Sequence, residues 1–122
     1  MSHPVVAARI AQQEALIERA RAWAADLSTR LPGLRAVTVF GSVARGDFNK
    51  WSDIDVLVIA DGLPADYLAR RDAVAPAPPG IEPVLWTPDE LDAARARRNP
   101  IVRECDAVGV VVHGAMPAAP VT

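Results

Sequence analysis

Gly41-Ser42-Val43-Ala44-Arg45-Gly46-Asp47-Phe48-Asn49-Lys50-Trp51-Ser52-Asp53-Ile54-Asp55 is a polar, glycine-punctuated stretch between two runs of strand character. The run before it, Arg35 to Phe40, is β-branched and aromatic and stops at Gly41. The run after it, Ile54 to Ala60, is apolar at nearly every position beyond Asp55, as expected of a central strand covered on both faces, and Asp61-Gly62 ends it. The frame is therefore strand, turn, strand. Gly41 and Gly46 let backbone approach a ligand closely and point N–H groups at it, and Ser42 adds a hydroxyl. A helical turn beginning near Ser42 would aim free N–H groups at a phosphate, with Arg45 supplying a guanidinium matched to phosphate oxygens.

Asp53 and Asp55 give the turn its chemistry. Residues two apart on a strand point to the same face, so both carboxylates project together at the mouth of the second strand, eleven positions beyond Ser42. Like charges held that close repel, and a cation between them resolves the conflict. All-oxygen ligation suits Mg²⁺ or Mn²⁺, which also bind nucleotide phosphates. Glu82 is the candidate third carboxylate. It lies in the strand Ile81 to Trp86 among apolar neighbours, where an unpaired glutamate is costly unless it has a cation or an edge open to water. Pro83 removes a ladder donor and points to an edge or bulged position. Asp47, in the polar turn, reads as solvated. Ser52 reads as orienting the turn or an aspartate, because no histidine or lysine base stands beside it.

Working outward, Val5 to about Leu31 contains no Gly or Pro, and Ile10, Ile17, Ala20, Ala24, Leu27 and Leu31 recur at helical steps. Arg9, Gln13, Glu18, Arg21 and Arg30 fall between them as a water-facing side, and Pro32-Gly33 stops the helix. Ala65 to about Val74 has helical composition, and residues 75 to 80 form a stiff connector. Thr87-Pro88-Asp89-Glu90 is a capped helix start for a helix reaching about Arg98. Pro100 begins a short helix to about Asp106, and Gly109 to His113 is a last strand. The fold class is α/β (α+β), a small mixed sheet with helices packed against it. Residues 1–114 read as one domain, and 115–122, rich in Ala and Pro, as a flexible tail.

With 122 residues, 51% of them hydrophobic, the chain has material for one sizeable core. Its longest apolar stretches, Val56 to Ala60 and Val108 to Val112, are far short of the roughly 20 residues of a membrane span, so no membrane association is expected. A formal charge of −2 argues against chain-wide affinity for nucleic acid. The single cysteine, Cys105, has neither a disulfide partner nor zinc-site spacing, which suits a reducing cytoplasm, and reads as a packing side chain. His3 and His113 read as surface or strand-end residues, Trp51 as packed or exposed in the turn, with stacking on a base or acceptor as its alternative, and Trp23 and Trp86 as core. Arg95, Arg97 and Arg98 read as a solvated basic helix end.

Gly41-Ser42, Ala44-Arg45-Gly46, Ser52-Asp53 and Asp55 together resemble the signature of the nucleotidyltransferase superfamily that includes polymerase beta and kanamycin nucleotidyltransferase, and most closely its minimal members, the MNT proteins. The resemblance implies that a hydroxyl attacks the α-phosphate of a nucleoside triphosphate, ATP, and releases pyrophosphate. It implies that Gly41 and Ser42 hold the β- and γ-phosphates, with Arg45 and Ser52 as further contacts in the nucleotide turn. Asp53 and Asp55 would bind the metals, and Glu82 would complete the acidic triad. Larger relatives carry a separate substrate domain, so the resemblance also implies a partner. Minimal members are commonly encoded beside a helical HEPN protein, and some act as antitoxins by moving AMP to a tyrosine of that partner. The competing expectations are a non-catalytic antitoxin that neutralises a HEPN partner by binding, and a transferase acting on a small molecule of aminoglycoside type.

Overall fold

The computed structural model describes residues 3–119. The long expected helix is present as α1 (Pro4–Arg30). His3 caps it, its Nδ1 accepting from the Val5 N–H at 3.1 Å. Four strands follow in chain order, β1 (Leu34–Phe40), β2 (Ile54–Ala60), β3 (Ile81–Trp86) and β4 (Val110–Gly114). Between and around them run the single turn α2 (Gly41–Arg45), α3 (Tyr67–Val74), α4 (Pro88–Ala96) and α5 (Pro100–Val108).

The sheet order is β3-β2-β1-β4. β1 pairs antiparallel with both β2 and β4, and β2 pairs parallel with β3, so the sheet is mixed as the sequence predicts. β2 is interior, which accounts for its nearly continuous apolar run. β3 is an edge strand, which accommodates Pro83. Alternation of side chains divides the interior into two layers. Val37, Val39, Val56 and Val58 face α1 through Ala20, Trp23, Ala24 and Leu27. Ala36, Phe40, Leu57 and Ile59 face α4 and α5 through Leu91, Ala94, Val102 and Cys105.

Local signals explain the boundaries. Thr87 and Glu90 form the predicted capping box, Thr87 Oγ1 accepting from the Glu90 N–H and the Glu90 carboxylate accepting from the Thr87 N–H. Asn99 caps α5, which runs two residues beyond the predicted Asp106 to Val108. The connector is tied to α1, with Trp23 Nε1 donating to the Pro76 carbonyl at 3.2 Å and Arg30 donating to those of Ala75 and Pro76. Residues 115–119 have no regular structure, although Met116 packs on the second layer and Arg95 donates to the Pro117 carbonyl. The rest of the expected flexible tail, 120–122, lies outside the described residues. Among the described residues no helix is long and apolar enough to cross a membrane.

One sequence expectation fails in part. Ile10, assigned to the packing side of the long helix, is 49% exposed, with Val5 and Val6 also exposed. The apolar stripe continues past the end of the sheet that could cover it. Arg9 and Gln13, assigned to water, instead reach the α2 turn.

Candidate active site

The site is built at the end of the sheet where β1 stops and β2 starts. Phe40, the last residue of β1, stands in register with Asp55. The chain then bends at Gly41, whose φ of +74° favours glycine, and turns through α2 to Gly46, which closes it at φ +91°. A Cβ on Gly41 would overlap Asp55 Oδ2, so the absence of a side chain there is what admits the Asp55 carboxylate against the bend. The sequence leads one to expect Asp53, Asp55 and the Gly41-Ser42 bend to converge on one pocket; of these, the structure places the Asp55 carboxylate against the bend.

α2 is too short to hold itself, and α1 holds it. Gln13 Nε2 donates to the carbonyls of Val43 at 2.8 Å and Ala44 at 3.3 Å. Arg9 donates to the carbonyls of Gly46, at 3.0 Å, and Phe48, and its guanidinium lies 3.9 Å from the centroid of the Phe48 ring. These bonds satisfy carbonyls that a single helical turn leaves without partners. Val43 and Phe48 anchor the turn from below in the α1 layer. The remainder of the turn is fixed by Ser52, whose Oγ accepts from the Asn49 N–H at 3.0 Å, the orienting role read from sequence.

Parallel pairing places Glu82 in register with Asp55 on the adjacent strand, on the same face. Glu82 is exposed at the sheet edge, so water alone accounts for its presence in an apolar strand. Asp53 immediately precedes β2 and is exposed. A fourth acid, Glu104 of α5, was not anticipated from sequence. Arg45 donates to Glu104 and, at 3.2 Å, to Asp47, so the arginine expected to meet phosphate is engaged by two carboxylates. Asp47 is exposed as predicted, and it also serves as one of these partners.

The electrostatic centre of the cluster is Asp55. Burial pushes its carboxyl above the ordinary value, and the negative charges of Asp53, Glu104 and Glu82 push it further, with Arg45 opposing. Cys105, on α5 beside Glu104, is buried, and burial together with Asp106 and Glu104 pushes its thiol up to about 12, in keeping with a packing role. Among the described residues no three His, Cys, Asp or Glu side chains gather closely enough to hold a metal ion, so the expected trio Asp53, Asp55 and Glu82 is not closed around one point. Its donors are carboxylate oxygens only, the type that hard cations take, and the charges of Asp53, Glu104 and Glu82 each raise the cost of ionising Asp55.

The nucleotidyltransferase domain profile matches residues 20–98, from the middle of α1 to the end of α4. The chain belongs to this family. The nucleotidyltransferase fold is shared with a candidate nucleotidyltransferase from Sulfolobus solfataricus, at a TM-score of 0.64 and 22% identity over 84% of each chain. It is shared as well with a chain of a toxin–antitoxin solved with AMP-PNP, at a TM-score of 0.51 and 19% identity over 78% of this chain and 73% of that one. No curated protein sequence gives a significant match. The family match takes in the Gly41-Ser42 turn, both aspartates and Glu82, and it ends before Glu104.

Proposed function

We propose that this nucleotidyltransferase is metal-dependent, transfers AMP from ATP to a hydroxyl, and acts on a tyrosine of a HEPN-type partner as the antitoxin of a toxin–antitoxin pair. The observation that carries the reading is the seating of the Asp55 carboxylate against the Gly41 bend, with three further carboxylates bearing on it. Such an arrangement destabilises the free protein and is relieved by a cation and a bound polyphosphate. The fold shared with a toxin–antitoxin chain that was solved with AMP-PNP supports both the nucleotide and the partner.

Asp53, Asp55 and Glu82 are the residues that would hold Mg²⁺ or Mn²⁺, which when bound supplies charge to the phosphate oxygens and lowers the pKa of a coordinated hydroxyl. The Gly41-Ser42 backbone and the Ser42 hydroxyl receive the β- and γ-phosphates, and Arg45 exchanges its carboxylate partners for phosphate oxygens. The acceptor oxygen attacks the α-phosphorus, its proton passes to Glu82, and the bond to the β-phosphate breaks to release pyrophosphate. The protein contributes position and charge.

The test is transfer of labelled nucleotide from ATP to a HEPN-type protein, sought first in the gene next to the one that encodes this chain. Wild type labels the partner only with divalent metal, and Asp53→Ala or Asp55→Asn reduces labelling at least about 100-fold, the scale on which loss of transition-state electrostatics acts. Normal labelling by either variant would sink the mechanism. One observation favours a second reading, an antitoxin that works by occlusion: Val5, Val6 and Ile10 present apolar surface at the start of α1. In that case partner inhibition survives loss of both aspartates.

A further inference from the structure

Where α4 hands over to α5, Arg95, Arg98 and Arg103 surround a cavity of about 450 Å³ whose remaining walls are Val102, Asp106 and Ala119. Arg95 lies 3.7 Å from Asp106 and also donates to the Pro117 carbonyl, so that pair of charges is answered within the fold. Arg98 and Arg103 have no ion pair and no guanidinium hydrogen bond among the described residues, and neither does Arg97 beside them. Every other arginine except Arg71 of α3 is engaged by a carboxylate or a carbonyl. Unanswered positive charge therefore collects at one corner of a chain whose net charge is −2. The backbone there is also costly. α4 closes with the Arg98 N–H donating to the Arg95 carbonyl at 3.1 Å and the Asn99 N–H to that of Ala94 at 2.9 Å, which puts Arg98 at the left-handed position of the cap. Its φ of +55° is the only left-handed backbone outside glycine among the described residues. Glycine fills such a position without strain, whereas a side chain with a Cβ does not. The helix dipole gives no sufficient reason for the arginine, since Arg95 already supplies a cation in the last turn of α4. It gives none for Arg103, which sits in the N-terminal half of α5.

We infer that this pocket docks an acidic segment of the protein acceptor, with Asp or Glu carboxylates paired to Arg98 and Arg103 and a small apolar neighbour over Val102 and Ala119. The inference deepens the proposed function and rests on its reading of the acceptor as a protein. Charge complementarity supplies the argument. Two free guanidinium forks match carboxylates in shape as well as in sign. The lining has no aromatic face on which a base could stack, and Asp106 in the wall opposes a continuous run of phosphates, so the pocket suits a peptide better than a nucleic acid. α5 also borders the transfer site, because Glu104, the residue after Arg103, engages Arg45. A segment held on α5 is thus held by an element of the active end. The family profile stops at Arg98, and the α5 half of the pocket lies beyond the matched stretch, where recognition of a particular acceptor is free to differ from the shared chemistry.

Fluorescence anisotropy at low ionic strength tests the pocket with the full chain and three labelled probes: a peptide of a leucine flanked by glutamates, the same peptide with glutamines in their place, and a single-stranded RNA of matched charge. Wild type is expected to bind the acidic peptide and not the glutamine peptide, and to bind the RNA more weakly than the acidic peptide. Arg98→Gly and Arg103→Ala each weaken the acidic peptide by roughly five-fold, the upper scale of an exposed ion pair, and together by roughly twenty-fold. Arg71→Ala, which removes an unengaged arginine elsewhere, changes it by less than about two-fold. Arg98→Gly should also raise the melting temperature by a few degrees, since it relieves the left-handed backbone, so lost binding cannot come from lost fold. Unchanged peptide affinity in Arg98→Gly, an equal loss in Arg71→Ala, tighter binding of the RNA, or a lower melting temperature in Arg98→Gly each overturns the inference. The titration needs neither nucleotide nor metal. If it fails while a HEPN-type protein is still labelled, the docking site falls and the transfer reading stands; if it succeeds and no transfer is found, the reverse holds.

Discussion

Asp55 carries a conflict that can be measured without any substrate. Its carboxyl is raised above the ordinary 3.8 first by burial and then by Asp53, Glu104 and Glu82. A raised folded-state pKa means the native chain holds that proton more tightly than the unfolded chain does. The stabilisation this gives is full below the ordinary carboxylate range and is lost as pH rises through the raised value. Asp55→Asn removes the charge with little change of shape beside Gly41. It is therefore expected to raise the melting temperature at neutral pH and to flatten the acid-side slope of a melting-temperature profile, while abolishing transfer. A variant less stable than wild type at neutral pH, with the slope intact, would show that the carboxylate is not under electrostatic load. Asp53, Asp55 and Glu82 were legible because each is an acid in or next to a strand otherwise committed to apolar residues. Glu104 was not. A single acid on a short helix has no local pattern to distinguish it, and only the packing of α5 beside α2 brings it to Arg45.

At the scale of elements, α1 acts as the support of α2 through two polar side chains that periodicity had placed in water. The helical repeat identifies which residues share a side, but not where the neighbouring sheet ends, so both the exposure of Ile10 and the use of Gln13 escaped it. What was legible followed from strong local rules: the Thr87-Glu90 capping box, the interior position of β2, the edge position of the strand with Pro83. The order β3-β2-β1-β4 was not readable, because pairing depends on contacts far apart in sequence. Gln13→Ala removes donors from two carbonyls of a single-turn helix that has few other anchors. It should cost about 1 kcal/mol in denaturant-derived stability, the net worth of such bonds. The transfer rate should fall more than stability alone explains, since displacement of α2 moves Ser42 and Arg45 together. Unchanged kinetics at lowered stability would mean that Arg9 and the packing of Val43 and Phe48 hold α2 without Gln13.

For the whole molecule, the active end and the interior are coupled through β2. Its Val56, Leu57, Val58 and Ile59 fill both layers of the core, and the same strand carries Asp55 as its second residue. Ions that bind the native carboxylates but not the unfolded chain add stability as RT ln(1 + [L]/Kd), about 2.7 kcal/mol at a hundred times Kd. For a domain of this size that is a rise of several degrees, roughly 8 °C or more. Mg²⁺ or Mn²⁺ is thus expected to raise the melting temperature of wild type in a concentration-dependent way, and ATP added with the metal to raise it further. In Asp53→Ala both increments should shrink, whereas NaCl at matched ionic strength should reproduce neither, since screening weakens repulsion among exposed charges without occupying a site. If NaCl gives the full increment, the cluster is only a patch of mutual repulsion. If the metal increment persists in Asp53→Ala, the ion is held elsewhere, and the seating of Asp55 against the Gly41 bend has another purpose.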